Sequence, residues 1–159
     1  MRHLHRLLRH RRTPRSAGMR HFSPSVLARF QDTILEGRRL HQAHLHLAIE
    51  TALSSAALLA GCTPRQRAQR LFAVHDITLV PARRGLLLYL NLADRRIELI
   101  ADRGLDGLVT PAQWQSICTQ LAHACACGEF ESGIHHALRE VNQLLALVLP
   151  VQADQSRPL

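Results

Sequence analysis

Gly85 to Gly104 reads GLLLYLNLADRRIELIADRG, two apolar runs joined by a charged turn and closed by Asp102-Arg103-Gly104. A continuous apolar run followed by polar turn residues and a second run rich in Ile and Leu predicts a β-hairpin. Its second strand delivers Asp102 to a loop, so one segment supplies both a fold element and a candidate site.

Upstream of the hairpin, His44 to Glu50 (HLHLAIE) alternates and predicts a strand with Leu45, Leu47 and Ile49 on one face. Three cap-then-proline pairs, Ser23-Pro24, Thr63-Pro64 and Thr110-Pro111, predict helix starts, because proline at the first helical position has no amide hydrogen to leave unpaired. They open helices over Pro24 to Arg38, burying Leu27, Phe30 and Ile34, then on to Val74, burying Ala68, Leu71 and Phe72. The third runs to a stop at Gly128 with Trp114, Ile117, Leu121 and Ala124 inward. A last helix spans Phe130 to Val148 with a broad apolar stripe. The order α-β-α-β-β-α-α predicts an α/β fold, an α/β/α sandwich around a small mixed sheet. The helical crossover makes the first two strands parallel and the hairpin returns the third. His44, Gly85 and Asp102 then share one end of the sheet, and Glu50 and Asp94 the other.

The chain has 159 residues, 47% of them hydrophobic, enough for one domain with a sizeable core. We divide it into a basic arm (1–21), the domain (22–150) and a polar tail (151–159). All 20 basic residues are arginine; seven fall between Met1 and Arg20 with no acid, while the remainder is nearly neutral. Such an arm suits an anionic membrane surface or an acidic protein partner. Nucleic acid is disfavoured, since one Tyr, one Trp and no recognised motif accompany it. No membrane-spanning run and no secretory signal pattern occurs, so a cytoplasmic protein, peripheral at a membrane if the arm binds one, is expected. Leu59-Ala60-Gly61-Cys62 resembles a lipoprotein cleavage box, but sits some 60 residues into the chain. Cys62, Cys118, Cys125 and Cys127 form no CxxC pair and read as reduced, mostly buried thiols.

LYLNLADRRIELIADRG, Trp114 and the GEFESG of Gly128 to Gly133 together resemble the TPM domain of the thylakoid acid phosphatase-like proteins. The short bacterial members, without signal peptide or membrane anchor, are the most similar. Glu50, Arg65, Arg67, Ala68, Gly85, Tyr89, Asp94, Glu98 and Asp102-Arg103-Gly104 sit at matching positions. The resemblance implies an α/β/α sandwich. It also implies either a divalent-metal-dependent acid phosphatase, with calcium or another divalent ion as cofactor, or an accessory factor for a protein partner.

The departures from that pattern lie around the expected site. Thr78-Leu79-Val80-Pro81-Ala82-Arg83-Arg84-Gly85 replaces a family segment with Asp, Glu and Asn, and His44-Leu45-His46 replaces Glu-x-Arg. Asp102 with Asp106 is a thin oxygen set for a cation that takes six to eight ligands. In the catalytic reading Asp102 holds metal or moves a proton and Arg103 clamps phosphate. In the structural reading Asp102 caps backbone amides and Gly104 permits the turn. Arg83, Arg84 and Arg103 form a candidate anion site. His44 and His46 share a face and are candidate transition-metal ligands, with His41 or His75 as a third. The leading expectation is a non-catalytic or weakly active accessory module with an eroded metal site. Phosphomonoester hydrolysis is the alternative, and anion or nucleic-acid binding by the arm is the lesser one.

Overall fold

A computed structural model describes residues 22–151; the arm and most of the tail lie outside the described residues. The sheet has three strands, β1 (His44–Glu50), β2 (Gly85–Asn91) and β3 (Arg96–Ala101), in the order β1-β2-β3. β1 and β2 are parallel, pairing His44 with Gly85 and Glu50 with Asn91, and β3 runs antiparallel with Leu86 opposite Ala101.

Around it stand α1 (Pro24–Leu40), a short α2 (Ser55–Leu59), α3 (Pro64–Val74), α4 (Pro111–Ala126) and α5 (Phe130–Val148). The three cap-then-proline pairs start α1, α3 and α4. The Ser23 hydroxyl accepts from Val26 N at 3.3 Å, while Thr63 with Gln66 and Thr110 with Gln113 form reciprocal capping boxes. Gly128, at φ +82°, lies in the turn between α4 and α5, a left-handed position that suits glycine.

β2 is buried along all seven residues because both faces of this central strand are covered, which explains its unbroken apolar run. On one face Leu86, Leu88 and Leu90 join Leu45, Phe30, Leu121, Ile134 and Leu138 in the main core beneath α1, α4 and α5. On the other, Leu87 and Tyr89 pack with Ala68, Phe72 and Ile77 under α3. The result is the expected α/β/α sandwich.

Four details differ from the sequence reading. Leu27 is 45% exposed, and Val26 takes the core position one residue earlier. α1 continues two residues beyond Arg38, to Leu40. The unforeseen α2 is capped by the Ser54 hydroxyl, which accepts from Ala57 N at 3.2 Å. It leads through Gly61, at φ +69°, to Cys62, whose side chain is buried at 2% exposure. Finally, the thiols are less uniformly buried than expected: all four are free, Cys118 and Cys125 are half-buried and Cys127 is exposed, because it caps α4 at its open end. Burial pushes the Cys118 thiol up to about 11, so it stays protonated near neutral pH.

Candidate functional site

The sheet end that carries the starts of β1 and β2 and the end of β3 gathers the residues of the Asp102 loop. The ladder closes there with Asp102 N donating to Gly85 O at 2.9 Å. Between α3 and β2 the chain makes two tight turns, Ile77–Leu79 and Pro81–Arg83, the second with Ala82 at φ 55° and Arg83 at φ 52°. These left-handed residues fold the segment back against the turn Arg103–Leu105.

Asp102 is buried at 5% exposure and its carboxylate is occupied by protein. Oδ1 accepts from its neighbour's amide, Arg103 N, at 2.8 Å. Arg83 Nε donates to Oδ1 at 3.3 Å and lies 3.4 Å from Oδ2. The contact is made through Nε, and the Arg83 side chain remains 56% exposed. Arg84 Nη1 donates to Gln42 Oε1, and the Arg84 carbonyl accepts from His44 N at 2.9 Å. Arg103 is exposed, as is Asp106, whose amide bonds Arg103 O at 3.0 Å.

Calcium requires six to eight oxygens. At this end the buried carboxylate already accepts an amide and a guanidinium, and the basic groups around it oppose a second cation. The residues present do not fit a calcium site. Among the described residues no three His, Cys, Asp or Glu side chains converge to hold a metal. His44 and His46 do share a face, in register with Gly85 and Leu87, without a third ligand from His41 or His75. The pKa of each is lowered, first by burial and then by the Arg38 charge. His123, Cys125 and Cys127 form no such group either.

The opposite sheet end carries an ion-pair network built on Glu50, Arg67 and Tyr89. Arg67 Nε donates to both Glu50 oxygens at 3.0 Å, and Tyr89 OH donates to Glu50 Oε2 at 2.8 Å. Asn91 Nδ2 donates to Tyr89 OH at 3.1 Å, while Asn91 Oδ1 accepts from Asp94 N at 2.9 Å, tying the hairpin turn to the sheet. The hydrogen bond to Glu50 raises the Arg67 pKa, and burial, with Glu50 adding to it, pushes the Tyr89 phenol well above its ordinary range. Glu50 thus spends its oxygens locking α3 onto the sheet. The spacing Glu50, Arg67, Tyr89 has no local signature, because it joins three separate elements.

Comparison with known proteins agrees with this architecture. The family model for the TPM domain matches residues 21–144. The NMR structure of BA42 protein from the psychrophilic bacterium Bizionia argentinensis is similar with a TM-score of 0.73 at 16% identity, over 87% of this chain and 90% of that one. A search of curated proteins finds no match. No helix among the described residues is long and apolar enough to cross a membrane. With the domain model covering most of its length and the strand order, register and layers in place, the chain belongs to the TPM domain family.

Proposed function

We propose that this protein is a non-catalytic TPM module that recognises anionic groups, phosphate above all, through Arg83, Arg84 and Arg103. The observation that carries this reading is the state of Asp102, buried and already held by Arg83 and the Arg103 amide. A carboxylate so engaged is a poor metal ligand and a poor general base, while the guanidinium groups beside it keep donors turned to solvent. Arginine's planar fork matches phosphate and carboxylate oxygens, and two or three such groups at one end of a sheet suit a doubly charged anion. The partner is then an acidic or phosphorylated protein face, and the basic arm would add long-range attraction to it or to an anionic membrane surface.

Titration of the full chain with inorganic phosphate and pyrophosphate tests this. Binding is expected to tighten from phosphate to pyrophosphate and to weaken steeply with salt. Arg103→Gln should reduce affinity about tenfold without changing the melting temperature, since its side chain is exposed. Binding equal in wild type and Arg103→Gln would remove the proposal.

A further inference from the structure

Under the β2–β3 hairpin, at the sheet end away from Asp102, lies a cavity of about 200 Å³. Leu90 and Ile97 line it from the sheet, Leu92 from the hairpin turn, and Ala126 and Phe130 from the helices. Ala122 and Ala126, one turn apart on α4 and both exposed, line its open side, where a larger side chain would narrow it. Burial raises the Cys125 pKa, which keeps that wall uncharged.

The mouth is different. Arg95 and Arg96 both line it, both are exposed, and neither makes an ion pair among the described residues. None of the lining residues is acidic. Arg95 also sits at φ 51°, closing the four-residue loop with its amide on Leu92 O at 3.2 Å. Glycine or asparagine would hold this left-handed position at lower cost, so the loop retains a cation where backbone preference disfavours it.

A largely apolar slot whose rim holds two guanidinium groups without an ion pair among the described residues matches an amphiphile with one anionic end. We propose that this cavity binds acyl carboxylates of medium chain length, the chain lying between Ile97 and Ala126 and the carboxylate on Arg95 and Arg96. The site is separate from the Arg103 end and does not depend on it. The competing occupant is the arm, since Phe22, where the described chain begins, packs on Phe130 with ring centroids 6.4 Å apart. That arm carries seven arginines between Met1 and Arg20, which the arginine rim repels.

Calorimetric titration of the full chain with butanoate, hexanoate and octanoate tests the assignment. Affinity is expected to rise about three- to fourfold per added methylene. The Arg95→Gln, Arg96→Gln double variant should lose about tenfold, and Ala122→Leu should abolish binding while leaving phosphate binding at the Arg103 end unchanged. Ala126→Leu provides a second cavity-filling variant should the first fail to fold. Vesicles of phosphatidylglycerol present the same chains as esters without a carboxylate: octanoate binding with no Ala122-dependent retention on them supports the free acid, and retention lost in Ala122→Leu would overturn the carboxylate assignment. Equal affinity for butanoate and octanoate, no binding by the full chain, or octanoate binding undiminished in both cavity-filling variants would overturn the proposal.

Discussion

Gly104→Ala is expected to destabilise the protein by about 2–3 kcal/mol, lowering its melting temperature by roughly 6–10 °C. The reason is proximity. A Cβ at Gly104 would stand 2.1 Å from Ala82 O and 2.6 Å from Arg83 O, both backbone atoms. Neither carbonyl can swing away cheaply, because Ala82 and Arg83 are already held in left-handed conformations. The methyl group would lift the Pro81–Arg83 turn and draw Arg83 Nε from Asp102. Urea unfolding gives the loss directly, and phosphate affinity should fall with it. Unchanged stability would mean that the turn is not docked on Gly104 and that the Asp102 carboxylate is free for other work.

Asn142→Ala is expected to cost about 2–3 kcal/mol by breaking a buried polar link between α1 and α5. His41 is 2% exposed and Asn142 4%. Ala43 N donates to His41 Nδ1 at 3.2 Å, so the ring proton sits on Nε2 and is donated to Asn142 Oδ1 at 3.1 Å. Asn142 Nδ2 in turn donates to Thr33 O at 2.8 Å. Gly37 leaves room for this amide, since a Cβ there would lie 2.2 Å from Asn142 Oδ1. Removal of Asn142 orphans the His41 N–H and opens a void beside it.

The same histidine sets an acid limit on stability. Burial lowers its pKa from 6.5, against the opposing hydrogen bond to Asn142, and His44 and His46 are lowered for the same first reason. The unfolded chain therefore takes up protons near pH 6.5 while the folded one resists. The stabilising contribution is complete above that pH and is lost as pH falls below it, by at most about 1.4 kcal/mol per pH unit for His41. Urea midpoints at pH 8 and pH 5 measure the difference.

Where local chemistry decides the structure, the sequence was readable. Ser23-Pro24, Thr63-Pro64 and Thr110-Pro111 begin helices because a hydroxyl cap and a proline act within three residues. LLLYL is the central strand because only a strand covered on both faces tolerates an unbroken apolar run. Where distant segments decide, it was not. Gly104 is required by the approach of the Ala82 carbonyl rather than by a positive φ, and that approach depends on a loop some twenty residues earlier. Leu27 and Val26 are neighbours on α1, and only the position of the sheet selects which of them is buried. The placement of Asp102 at the sheet end follows from the strand order, but its carboxylate bonds depend on how the Pro81–Arg83 turn folds back.

In the proposed function Asp102 holds the loop together and does not turn over substrate. Hydrolysis of p-nitrophenyl phosphate by the full chain and by Asp102→Asn, with calcium, magnesium and manganese in turn, tests it most directly. The expected result is the same background rate for both proteins with every ion, accompanied by a lower unfolding midpoint for Asp102→Asn. Metal-dependent turnover in the wild type that disappears in a folded Asp102→Asn variant would contradict it.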